Sequence, residues 1–183
     1  MERALENYIE ELKSDVASRV YSEGEGASFE DKFTEYCIEV LESIGKSEGA
    51  RVLSYVHPNS QGGIDWKING FCLKDLTKDE NKKEYYETLD LFITVFKGAD
   101  EITNTTKAEI ETAQKRISNF FNKCVSKEYV NEIEESSEIF QLANTLANYD
   151  EIKENLVRVN AIILTDGEYK GEFPKNDKIN NYK

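Results

Sequence analysis

The sequence predicts a mixed α/β (α+β) domain, in the order helix, helix, three strands, two helices, strand. Three observations carry that reading. Apolar residues recur at three- and four-residue steps over the first 44 positions, and the period drops to two between Arg51 and Lys97. Helical spacing then returns after Thr103, ahead of a final β-branched run.

Residues 2–21 place Leu5, Tyr8, Ile9, Leu12, Val16 and Val20 on one helical stripe, which "SEGEGAS" ends. Ser28 with Asp31 three positions on resembles a capping box, with Asp in place of the usual Glu. Phe33, Cys37, Val40, Leu41 and Ile44 continue as a second stripe, which Gly45 and Gly49 close. "RVLSYVH" (51–57) is a short β-rich run stopped by the turn signal "PNSQGG". "IDWKINGFCL" (64–73) alternates Ile64, Trp66 and Ile68 against Asp65, Lys67 and Asn69, which predicts one apolar and one polar face. A charged loop over 74–84 then leads to "YETLDLFITVFK" (86–97), and the two strands form a long antiparallel hairpin. Ile110, Ala113, Ile117, Phe120, Phe121 and Cys124 make a third stripe. Val130, Ile133, Phe140, Ala143 and Ala147 make a fourth, on a helix near 128–149. "LVRVNAIILT" (156–165) is apolar with little alternation in its second half, as in a strand covered on both faces. Polar residues follow to the end.

Composition narrows the function classes. The 183 residues, 39% hydrophobic and 32% charged, suit one soluble domain able to bury a core. No apolar run approaches a membrane span, and "MERALENYIEELKSDV" carries acids at intervals unlike those of a targeting peptide; a cytoplasmic protein is expected. Cys37, Cys72 and Cys124 are odd in number and far apart, which predicts buried thiols rather than disulfides or a zinc cluster. A net charge of −13 argues against a large nonspecific nucleic-acid surface. The single histidine, His57, precedes a proline at a strand end and excludes multi-histidine metal sites. Hard cations held by carboxylates are the metal chemistry left.

Within this pattern one residue is out of place. Asp90 sits in a strand whose faces, Leu89, Leu91, Ile93 and Val95 on one side and Phe92, Thr94 and Phe96 on the other, both read as covered. Desolvating an unpaired carboxylate costs several kcal/mol, so Asp90 requires a cation, a hydrogen-bond network or an exposed strand end.

The αβββαβ order left after the first helix is similar to the core of restriction-endonuclease-like, or PD-(D/E)XK, nucleases. "FTEYCIEVLESIG", "GIDWKINGFCL", "TLDLFITVFKG" and "VNAIILTDG", in that order, resemble the amino-terminal part of the abortive infection phage resistance (AIPR) proteins over about residues 28–167. The resemblance implies a bacterial antiviral role on nucleic acid, with Mg²⁺ or Mn²⁺ held by two carboxylates at the centre of the sheet. It assigns Asp65 and Asp90 as metal carboxylates, Glu35 as the supporting helix acid and Lys67 as the lysine that orients or deprotonates water. It also implies a longer protein, with a carboxy-terminal remainder as partner. The organisation it suggests is a first helix over 1–22, a nuclease-like domain over 23–170 and a polar tail over 171–183.

The fit is incomplete. The signature wants a lysine two residues after the second acid, where this chain has Phe92. Asp166, Glu168 and Lys170 have suggestive spacing but follow a turn and are expected on the surface. Each candidate has a plainer alternative: a solvated helix face for Glu35, and an outward ladder with Asn69 for Asp65 and Lys67. A noncatalytic interaction or sensor domain on the same scaffold is therefore the competing expectation. A homodimer through the stripe of the first helix is another.

Overall fold

The computed structural model describes residues 2–78, 80, 84–99, 101–128, 132–148 and 156–172. Two helices, α1 (Glu2–Glu23) and α2 (Phe29–Ser43), precede strands β1 (Arg51–Pro58), β2 (Ile64–Lys78) and β3 (Glu84–Val95). Helices α3 (Lys107–Val125) and α4 (Glu138–Asn148) follow, and then strand β4 (Arg158–Thr165). This is the element order the sequence predicts. The four strands form one open mixed sheet in the order β1-β2-β3-β4. The first three pair antiparallel, and β4 runs parallel to β3 because the α3–α4 crossover returns the chain to the same end.

Both faces of the sheet are covered. Leu89, Leu91 and Ile93 of β3 and Trp66 and Ile68 of β2 pack against Ala113, Ile117, Phe120 and Cys124 of α3 and Leu142 and Leu146 of α4. On the other face, Cys72, Phe92 and Leu164 meet Phe33 and Ile38 of α2 and Leu12 and Val16 of α1. Each large side chain so buried contributes roughly 1.5–3 kcal/mol. The predicted α3 stripe is buried at all six positions. Thr106 and Glu109 close a reciprocal capping box at its start.

The structure departs from the sequence reading in four places. The hairpin is longer than expected, because β2 continues to Lys78 through what reads as a charged loop. Helix α4 begins at Glu138 rather than near 128: Ser137 turns its hydroxyl onto the Glu134 carbonyl, which favours a turn over a helix. Ile133 is still buried, and Val130 lies outside the described residues. Helix α2 is rotated relative to its predicted stripe, burying Phe33, Thr34 and Ile38 and leaving Val40 and Ile44 exposed. In keeping with its helical stripe, α1 packs at Leu12 and Val16 against α2 and the sheet, and Arg19 fastens that helix to α2 through a two-bond contact with Glu39.

The fourth departure shapes the site. Lys67 and Asn69 do not face solvent; both are buried on the α2 side. Between Ile68 and Phe71 the alternation of β2 slips, so that both of these residues face α3 although they are three apart. Gly70 sits at the slip. A Cβ there would stand 2.7 Å from the Arg51 carbonyl oxygen and 3.2 Å from Ile38 Cδ1, so only glycine lets β1 and α2 approach this closely.

Candidate functional site

Polar groups interrupt the α2 face of the sheet at two points, on either side of buried Phe92. The first is built from the start of α2. Ser28 caps the helix by accepting the Asp31 N–H, which places Glu30 in the first turn, where the helix dipole favours a carboxylate. Glu30 Oε2 accepts from Lys67 Nζ at 2.6 Å and Oε1 from Asn69 Nδ2 at 2.9 Å. Lys67 also donates to the Thr94 carbonyl at 3.0 Å. Asn69 Oδ1 in turn accepts the Thr94 N–H at 2.8 Å, serving β3 where its ladder with β2 has ended at Gly70. The Thr34 hydroxyl donates to the Glu30 carbonyl, and therefore accepts from Thr94 Oγ1 at 2.7 Å.

The second cluster answers the question Asp90 raises. Asp90 is fully buried, opposite Cys72 on β2 and beside Asn160 on β4. Asn160 Nδ2 donates to Oδ1 at 2.7 Å. Lys74, two residues beyond Cys72 and thus on the same face, brings its Nζ to 2.6 Å from Oδ2. Burial and the charge of Asp90 push the Cys72 thiol up to about 11, so it is neither a nucleophile nor a thiolate ligand at neutral pH.

Asp65 lies elsewhere. It opens β2, seven residues before the position opposite Asp90, a separation of about 20 Å along a strand. Its carboxylate belongs to α3: Asn119 Nδ2 donates to Oδ1 at 3.2 Å and Lys123 Nζ to Oδ2 at 2.8 Å. Glu35 is turned away from the sheet and pairs with Lys32 at 2.9 Å. Five residues from Glu30 amount to about 140° around a helix, which puts Glu35 on the opposite side.

The structure thus does not bring the four sequence-predicted residues together. Lys67 reaches the first cluster, Asp90 the second, Asp65 the base of α3 and Glu35 the surface. Asp65 and Asp90 are too far apart to share ions that sit about 4 Å from each other in two-metal sites. Among the described residues, no three His, Cys, Asp or Glu side chains are grouped so as to hold a metal ion. Sequence reasoning missed Glu30, Asn69, Lys74 and Asn160. Asn160, a lone amide inside an apolar run, carries the same signal that singled out Asp90.

One arrangement occurs three times. Glu30 is held by Lys67 and Asn69, Asp90 by Lys74 and Asn160, and Asp65 by Lys123 and Asn119. Each time a lysine ammonium stands at one carboxylate oxygen and an asparagine amide donates to the other. Each of these carboxylates thus has a cation of the chain within 3 Å and an amide donating to its other oxygen.

No helix among the described residues is long and apolar enough to cross a membrane. Comparison with curated proteins and with solved structures returned no match. Residues 33–183, most of the chain, match the abortive infection phage resistance protein N-terminal domain. The chain therefore belongs to the abortive infection phage resistance family, as its N-terminal domain, and its role lies in phage resistance.

Proposed function

We propose that this domain acts in phage resistance as a noncatalytic interaction or sensor module, a degenerate descendant of a metal-dependent nuclease core. The single observation that carries the proposal is the threefold lysine–asparagine clamp on Glu30, Asp90 and Asp65. A nuclease of the PD-(D/E)XK kind needs convergent carboxylates with free lone pairs for Mg²⁺ or Mn²⁺. Here the acids diverge, and each is already held by a cation and an amide. The αβββαβ order and the parallel β3–β4 pair support descent from such a core, and Phe92, buried where a lysine would be wanted, supports the loss of its chemistry. The net charge of −13 speaks further against a surface that tracks phosphates.

The test uses Asp65→Asn, because the Asp65 side chain is 23% exposed and the new amide oxygen can still accept from Asn119. Phage protection by the full-length protein carrying this change should equal that of the parent. The purified domain should not cleave single- or double-stranded DNA or RNA in Mn²⁺. Metal-dependent cleavage abolished by Asp65→Asn in a folded protein, together with lost protection, would restore the nuclease reading.

A further inference from the structure

A sizeable cavity is lined by none of the residues of either polar cluster. It encloses about 510 Å³ between α1, the segment after β3 and the turn after β4. That volume falls in the range of small-molecule sites, which are mostly apolar with a few placed polar groups. Leu12, Val16 and Ala17 of α1 form one wall, and Phe96 and Ile102 the other. Lys13 also lines it.

Lys13 is the informative residue. Its Nζ is shielded from solvent and has no hydrogen-bond partner among the described residues. An ammonium so placed is costly unless an anion meets it. Asp166 and Glu168, the described acids in the lining, each meet other groups of the chain and neither bonds Lys13. Asp166 accepts the Lys97 and Gly98 N–H groups at 2.9 and 2.8 Å, and Glu168 pairs with Lys170 at 2.9 Å. Tyr8 supplies no negative charge either, because a phenol is neutral at pH 7. A mostly apolar chamber that holds an ammonium with no hydrogen-bond partner among the described residues is complementary to a molecule that is apolar along most of its length and carries an anion placed to reach Lys13.

We infer that this cavity is a binding site for a small amphipathic carboxylate, with the apolar body between α1 and Phe96 and the carboxylate on Lys13. The site is independent of the acid clamps. Because Leu12 and Val16 are the only buried side chains of α1 among the described residues, an occupant that adds contacts along the same helix would tighten its attachment.

Isothermal titration calorimetry with decanoate, decanol and decyltrimethylammonium tests the inference. Decanoate should bind at one molecule per chain, decanol more weakly, and the cationic amphiphile weakest. Lys13→Met should weaken decanoate by about tenfold or more and leave decanol unchanged. Lys13→Arg should retain decanoate binding. Ala17→Trp, which fills the chamber, should abolish binding of both decanoate and decanol. Far-UV circular dichroism confirms that each variant is folded, and the charge preference of the parent protein needs no variant at all. The inference is overturned by absence of decanoate binding, by equal affinity for the three amphiphiles, or by decanoate binding that Lys13→Met or Ala17→Trp leaves intact.

Discussion

Replacing Lys74 by methionine keeps most of the side-chain volume but removes the ammonium that stands 2.6 Å from Asp90 Oδ2. The Asp90 side chain is only 1% exposed, so the carboxylate left behind cannot recover its hydration. Removing one partner of a buried pair costs about 3–5 kcal/mol by this route. Asp90→Asn breaks the same pair from the other side with a different result. The Lys74 side chain is 26% exposed and can turn to water, while the new amide oxygen still accepts from Asn160. The expected loss is about 1–2 kcal/mol, that of one charge-assisted contact. The double variant should lose less than the sum, since removing both charges leaves none buried. Urea unfolding followed by circular dichroism measures all three, against a total stability of roughly 5–15 kcal/mol for a domain of this kind. If Asp90→Asn costs as much as Lys74→Met, or if the two losses add, the lysine is not what compensates the buried charge.

Three other outcomes follow from the same structure. Gly70→Ala should cost about 2–3 kcal/mol in urea unfolding, because the new Cβ meets the Arg51 carbonyl oxygen at 2.7 Å; faster hydrogen exchange at the Val52 and Tyr55 amides would locate the damage in β1. Glu109 is held down at about 2 by the Thr106 backbone N–H and then by Lys97. Its contribution is present above its usual value near 4.5 and is lost as the pH falls from there toward 2, so the difference in Tm between the parent and Glu109→Gln should shrink across that window. Burial pushes the Cys37 and Cys124 thiols up to about 12, which leaves about one thiolate in ten thousand at pH 8; a disulfide reagent should titrate them only after unfolding in guanidinium, and reaction of the native protein within minutes would contradict that environment.

Periodicity made the elements legible, and sequence order gave their succession. What it could not supply was the pairing of side chains across large separations. Asp90 and Asn160 are 70 residues apart, and Asn69 meets Glu30 from 39 residues away. The alternation rule put Lys67 and Asn69 in solvent because it treats a strand as uniform and one face as open. A slip at Gly70 and a helix seated on the second face remove both assumptions. The helix acid was sought at Glu35 for its place in a familiar stretch, whereas α2 is oriented by the Thr34–Thr94 hydroxyl pair, which turns Glu30 inward. The cavity beside α1 left no signal in the sequence, since a lysine in an amphipathic helix ordinarily reads as solvated.

The bond between Asn160 and Asp90 also bears on how the last strand finds its place. β4 is apolar on both faces, and parallel pairing of Leu, Ile and Val residues discriminates weakly between alignments. A shift of two positions would keep every side chain on its own face, yet would bring Arg158 or Ile162 level with Asp90 in place of Asn160. The first delivers a guanidinium to a place already served by Lys74, and the second leaves Oδ1 without a donor. The buried carboxylate thus works as an alignment mark, admitting the strand in one register out of the several that hydrophobicity alone would accept.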